Sequence, residues 1–415
     1  MSAYDVIVAG GGAAGVGAAV GAARAGAHTL LIERGSFLGG AATLRSVTTY
    51  CGLYLSGSEE TDTPAQVVFG VAEQVLAWLR RLDAVTPPHA AHAVYVVFDP
   101  EALKIALDGV VADAGVEVMF ETDLIDATRR DGNIESVTVS TFGETRSCEA
   151  PSFVDATGDA ILALHGGAAT RYGTDGRAQT GTLGVRYAGI PESVDSAAIH
   201  QAITAAQAVG IGPLTSHTGL VVRLPGSGDM VAYLADEDVD VRDAKSLSEA
   251  QRHARAQAWA YLKVFRSLPG AENARIVTTG PQLGVRESRH VLTRTELSDD
   301  FVLSGTHDVG MVAVGAWPVE YHPGAGKPSQ WEMIGGPGYY GIPLDALISR
   351  DTPNLFAAGR LLDGQRKAAA SLRVMGTSFA TGQATGVAAA QHSRGSLSLP
   401  AVQAELQRQD ARLPL

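Results

Sequence analysis

Gly10-Gly11-Gly12-Ala13-Ala14-Gly15 joins an apolar run, residues 4–9 (YDVIVA), to a stretch of small side chains over 13–26. The run has the pattern of a strand buried on both faces. The small-residue stretch reads as a helix able to pack closely, and residues 28–33 (HTLLIE) read as a second strand. Together they form one βαβ unit with Gly10-x-Gly12-x-x-Gly15 at its first turn. Gly10 permits the tight turn, Gly12 lets the backbone reach a pyrophosphate, and Gly15 lets the helix pack on the strand. The helix N-terminus brings partial positive charge and unpaired N–H groups. Glu33 ends the second strand, where a carboxylate accepts hydrogen bonds from a ribose diol. An acid there suits FAD or NAD and disfavours a 2′-phosphate. The unit therefore predicts a bound dinucleotide on a parallel sheet.

Composition narrows the rest. Glycine accounts for 48 of 415 residues, in short clusters at element ends and without a period. Lys+Arg minus Asp+Glu is 32 − 44 = −12. That balance argues against a nucleic-acid surface and against docking on an anionic membrane. With 46% hydrophobic and 18% charged residues the chain is globular. Cys51 and Cys148 are too few for a disulfide framework, an iron–sulfur cluster or a cysteine zinc site, and no metal is expected. No apolar span of membrane length and no basic leader stand out, so a cytoplasmic setting is expected. The length suggests two or three domains.

Along the chain, Pro64 marks a helix start over 64–83, and 92–98 reads as a strand. Asp99-Pro100 caps a helix that ends at Gly115, followed by a strand at 116–120 and a hairpin over 124–150. Residues 152–160 (SFVDATGDA) form a strand entering a glycine turn. From 171 to 349 the pattern is mixed, with strand-like pieces at 183–188, 219–224, 230–235 and 309–317 and helices near 195–209 and 246–267. A buried strand returns at 354–359, and 368–392 reads as one long small-residue helix.

These stretches resemble the FAD-dependent oxidoreductase family, within the glutathione-reductase-like two-dinucleotide-fold flavoproteins related to succinate dehydrogenase and fumarate reductase flavoprotein subunits. The resemblance rests on VIVAGGGAAGVGAAVGAARAG, FLGGAATLRSVTTYCG, VVFDPEALKIALDGVVADAGVEV, FVDATGDAILALHGGA, LGVRESRHV, GIPLDALI and NLFAAGRLLDGQRKAAASLRVMGTSFATGQATGVAAA. It implies an α/β fold: a Rossmann-like FAD-binding domain with a parallel central sheet and a β-meander, plus a second, mixed α+β substrate domain. Residues 1–50, 99–170 and 350–415 would form the discontinuous FAD domain, and 51–98 and 171–349 the cap. FAD, held non-covalently, would contact Gly10, Gly12, Ala13, Ala14, Gly15, Glu33 and Arg34, then Gly40 and Ala41 in the next loop. Thr157, Gly158 and Asp159 would follow, and then Gly359, Arg360, Ser371, Arg373, Gly376 and Thr377 near the C-terminus. Relatives often carry an arginine where this chain has Asp345, and a histidine where it has Ala368, Ala369 and Ala370.

Five residues are candidates for catalysis. On a helix, Arg286, Arg289 and His290 of GVRESRH would share a face, with arginine for a carboxylate and His290 for a proton. His322 lies in a Tyr-His-Pro loop after Glu320-Tyr321 and suits a general acid or base. Arg373 stands at a helix entrance, and Cys51 is placed to face the flavin. Trp317, Trp331, Tyr339 and Tyr340 are candidates for an aromatic pocket. The expected activity is hydride transfer from a small polar, carboxylate-bearing substrate to flavin N5. Oxygen or a separate carrier would take the electrons, since no second G-x-G-x-x-G marks a nicotinamide domain. Two alternatives stay open: reduction of an activated C=C bond, and a non-catalytic FAD-binding electron-transfer or assembly subunit. A homo-oligomer is compatible with the sequence.

Overall fold

The computed structural model describes residues 4–56, 64–308 and 310–413. Its central sheet is parallel and five-stranded, in the spatial order Leu355–Ala357, Ser152–Asp155, Val6–Ala9, Thr29–Ile32, Glu117–Met119. The first four strands in that order are buried along their whole length, as continuous apolar runs require. On the sheet, helix Ala13–Arg24 lies against helix Met375–Ser393. The contact explains the small residues in both. A Cβ on Gly17 would sit 2.8 Å from the Phe379 carbonyl oxygen, and one on Gly21 2.6 Å from that of Gln383. The phosphate-loop helix is thus fixed by the far end of the chain.

A three-stranded meander, Thr122–Arg130, Asn133–Thr141 and Glu144–Glu149, flanks the sheet. Helix Pro100–Asp113 starts where the sequence predicts, with the Asp99 carboxylate accepting the Glu101 and Ala102 N–H groups at 2.9 and 3.0 Å. Beyond these lies a second core. It is an antiparallel sheet in the order Val221–Arg223, Met230–Glu237, Gly181–Ala188, Arg275–Thr279, covered by helices Ser196–Ala208 and Ala244–Phe265. Two short antiparallel strand pairs, Met311–Gly315 with Tyr340–Pro343 and Val319–Tyr321 with Gln330–Glu332, complete the region.

Three expectations need correction. Pro64 starts no helix. Residues 65–67 run extended beside 53–55, and the helix begins at Val71 after Gly70, whose φ of +62 breaks the chain direction. That helix buries Val71, Val75 and Leu79 in the same core as the parallel sheet. GVRESRH is not helical: Gly284 bridges Thr182, and Arg289–Val291 pairs with Thr170–Tyr172 as a strand. The long helix over 368–392 is two, Arg366–Leu372 and Met375–Ser393, separated by Arg373 and an extended Val374. Residues 57–63 and 309 lie outside the described residues.

Candidate active site

A cavity of about 870 Å³ runs from the phosphate loop to the second core. That size lies within the ~300–1,000 Å³ usual for small-molecule and cofactor sites. At one end its wall is mostly backbone. Gly10, with φ at +96, turns the chain so tightly that a Cβ would lie 2.6 Å from the Ala156 carbonyl oxygen. Gly12 is different: the nearest atom to a Cβ there is Gly40 Cα at 3.9 Å, and the open side faces the cavity. Gly15 lies outside the cavity and abuts the Gly10 carbonyl. Glu33 is buried, with one carboxylate oxygen accepting the Gly11 N–H and the other the Gly35 N–H, each at 2.6 Å. A carboxylate has about four acceptor positions, so two remain for hydroxyl groups.

Ala13, Ala14, Arg34, Gly40 and Ala41 line the same end, and Thr157, Gly158, Asp159, Gly359 and Arg360 face them. The Ala156-Thr157-Gly158 turn is held by Asp155, which accepts the Thr157 N–H and hydroxyl at 3.0 and 2.7 Å and the Ala163 N–H at 2.9 Å. Asp159 accepts Arg360 Nη2 and the Ser288 hydroxyl, both at 2.6 Å, and lies 3.8 Å from Arg45. Sequence reasoning missed Arg45, which looks like one loop residue among many. Burial pushes its guanidinium down to about 10, and Arg360 adds to the shift. Arg45 and Arg360 share one carboxylate, so this end carries surplus positive charge beside Gly40 and Gly158.

The other end is made of side chains. Breaking the C-terminal helix turns Arg373 toward the cavity, where its Nη2 donates to the Glu320 backbone oxygen at 3.0 Å and to Glu320 Oε2 at 3.2 Å. Its Nε is buried without a partner among the described residues, as is the Thr377 hydroxyl in the first turn of the next helix. Glu320 ties three groups together, since it also accepts from Trp317 Nε1 and His322 Nε2, each at 3.1 Å. Burial raises the Glu320 carboxyl, but His322 and Arg373 outweigh it and hold the group well below the usual carboxylate range. Burial lowers the His322 imidazole, and Arg286 lowers it further, to about 4. An ionised Glu320 accepts only, so His322 carries its proton on Nε2 and turns Nδ1 outward as an acceptor. The sequence displayed Glu320 as part of an acid-x-His element but gave no sign that it reaches Arg373.

Arg286 lines the cavity as well. Its Nη1 donates to the Thr180 carbonyl at 2.7 Å and the Thr182 hydroxyl at 2.8 Å, yet it makes no ion pair among the described residues. Asp236 is reached only through Thr182. Burial drives the Arg286 guanidinium down to about 10. His290 does not join this group. It is buried, with Nδ1 on the Leu362 carbonyl at 2.8 Å and Nε2 on Glu287 at 3.1 Å, because a strand rather than a helix carries it away from Arg286. Cys51 does face the cavity, and burial pushes its thiol up to about 12, which disfavours the thiolate. Ser371 and Gly376 lie behind the wall: the Ser371 hydroxyl donates to the Trp317 carbonyl at 2.5 Å, and Gly376 packs on the Cys51 carbonyl. Trp317 and Trp331 line the cavity; Tyr339, Tyr340, Asp345 and Ala368–Ala370 do not.

The family model of FAD dependent oxidoreductases matches residues 5–410 of this sequence. The chain belongs to that family. No curated protein is detectably similar in sequence. Among solved structures, a triple mutant of the flavin-dependent brominase Bmp2 is 12% identical with a TM-score of 0.50, over 98% of this chain and 84% of that one. A geranylgeranyl bacteriochlorophyll reductase-like protein from Thermoplasma acidophilum is 15% identical with a TM-score of 0.44, over 98% and 82%. The anhydrotetracycline hydroxylase OxyS from Streptomyces rimosus is 12% identical with a TM-score of 0.46, over 98% and 66%. At such identities the likeness concerns the fold alone.

This FAD-dependent oxidoreductase has a cavity that suits its cofactor. Gly12 leaves room where a side chain would stand and Glu33 keeps acceptor capacity, whereas Thr377 is buried and does not line the cavity. Among the described residues no group of three or more His, Cys, Asp and Glu is arranged to hold a metal ion, and no helix is long and apolar enough to cross a membrane.

Proposed function

We propose that this oxidoreductase oxidises a small carboxylate-bearing substrate at the end of the cavity where Arg286, Glu320, His322 and Arg373 meet. The observation that carries the reading is Arg286, a desolvated guanidinium facing the cavity with no carboxylate in contact. A buried charge of this kind is costly unless a partner arrives. A substrate carboxylate is that partner, and a guanidinium receives it in two parallel hydrogen bonds.

FAD, bound non-covalently, would supply two-electron redox chemistry at this end of the cavity, as the acceptor of a substrate hydride. The glycine turns, the helix N-terminus at Ala13 and the surplus charge of Arg45 and Arg360 would hold its diphosphate. Glu33 receives the ribose hydroxyls. At the reacting end His322 Nδ1 takes the O–H or N–H proton released with the hydride. Before substrate binds, Arg286 keeps that imidazole a weak base. A carboxylate paired with Arg286 cancels the repulsion, so His322 becomes a stronger base when substrate is in place. Glu320 keeps Nε2 protonated and fixes the ring.

Anaerobic bleaching of the flavin against amines, hydroxy acids and enoates tests the direction. Bleaching by a carboxylate donor supports the reading. Reoxidation of reduced flavin by an enoate, with no donor bleaching it, reverses the reaction. Arg286→Lys should raise KM with the flavin content unchanged. Loss of FAD or of the fold in that variant would make Arg286 a structural residue.

A further inference from the structure

From the ring cluster joined to this ionic group, we infer that the carboxylate substrate carries a planar aromatic or conjugated body. The inference rests on the carboxylate reading above and adds the part of the molecule that reading leaves open.

Trp317 and Trp331 meet edge to face, with centroids 5.9 Å apart, and His92 stacks on Trp331 at 5.5 Å and 28°. All three rings line the cavity, and so does Tyr95. The cluster continues into Ala93, Val374 and Cys51, apolar or uncharged groups around the same space. Two features set this wall apart from ordinary core packing. The first is its tie to the ionic group: Trp317 Nε1 donates to the same Glu320 oxygen that Arg373 contacts. Ring and charges therefore keep a fixed spacing. The second is the exposure gradient, with Trp317 buried, Trp331 half-buried and His92 exposed, so the rings run from the reacting end to the entrance.

A rigid ring of fixed plane is a platform for another ring. Aromatic contact adds about 0.5–1.5 kcal/mol beyond area burial. A saturated body of equal size gains the area but not that increment. Trp331 is the residue that sets the preference, since it touches both other rings and its own Nε1 is held by Ser329 at 3.0 Å.

The test uses purified holoenzyme and the visible absorption of its flavin during titration. The probes are benzoate, 2-naphthoate, cyclohexanecarboxylate and benzamide. The aromatic acids should bind roughly five- to tenfold tighter than the saturated acid. Trp331→Leu should remove that difference while cyclohexanecarboxylate binds as before, and Trp331→Phe should retain it. Equal affinity for aromatic and saturated acids, or no perturbation by either aromatic acid, overturns the inference. Benzamide binding as tightly as benzoate would instead overturn the carboxylate reading, with the ring preference judged separately by the Trp331 pair.

Discussion

The two ends of the cavity recognise by different means. At the dinucleotide end the wall is mostly backbone and small residues, with Gly10, Gly12 and Glu33 all in the first βαβ unit and Arg45, Asp159 and Arg360 added from farther along the chain. At the reacting end the groups are long charged or aromatic side chains drawn from residues 92, 286, 317–322, 331 and 373. The first end is set by local geometry and tolerates almost no added volume. The second is set by a hydrogen-bond network centred on Glu320.

Gly12→Val is the harshest probe of the contrast. It fills the space over the phosphate loop, so FAD affinity should fall by more than about a hundredfold, a loss beyond ~2.7 kcal/mol. Flavin fluorescence titration of the apoprotein reads it. Retained yellow colour would mean that the open side of Gly12 faces no ligand.

At the opposite end, His322→Ala should lower turnover by ~10²-fold, the range for losing a general acid or base, with flavin content unchanged. Full turnover would place the proton acceptor elsewhere. Glu33→Ala should weaken FAD by about tenfold or more through lost charge-assisted hydrogen bonds. Because Glu33 also braces Gly11 and Gly35, this variant should lose thermal stability too, whereas His322→Ala should not. An unchanged dissociation constant would remove the carboxylate from the ribose.

The smallest expected effect is in acid. The unfolded chain binds a proton at His322 near pH 6.5, while the folded chain resists until about 4. Glu320 likewise protonates later in the folded state, near 2, than in the unfolded one. Over both windows the unfolded state holds more protons, so stability falls as pH drops from about 6.5 toward 2. The melting temperature should decline by a few degrees over the upper part of that range. His322→Asn should flatten the decline between pH 6.5 and 4. An identical profile in that variant would mean that the imidazole is not held neutral.

How much of this was legible follows from range. The first βαβ unit, the Asp99 cap and the Asp155-Ala-Thr-Gly turn depend on neighbours close in sequence, so their signals lie within short windows, whereas the sheet's other pairings join distant segments such as Val6 with Ser152. GVRESRH shows the reverse. Its spacing allows a helical face, but pairing with Thr170–Tyr172 makes it a strand, and His290 is carried into the core away from Arg286. Arg45 has no local signature, because its partner Asp159 is far along the chain.

The sequence by itself determined the strands that pass through the core, the turn that approaches a phosphate, and the small residues that let two helices touch. Each follows from side-chain volume and backbone freedom at a single position. Only the tertiary structure decided which polar residues meet. No proline or glycine stands at Arg373-Val374, yet the helix breaks there, with Ser371 bound to the Trp317 carbonyl and Arg373 to Glu320. Helical propensity is worth only tenths of a kcal/mol per residue, whereas a buried arginine left without its carboxylate costs several. The long-range pair therefore overrides the local preference and sets the charged end of the cavity.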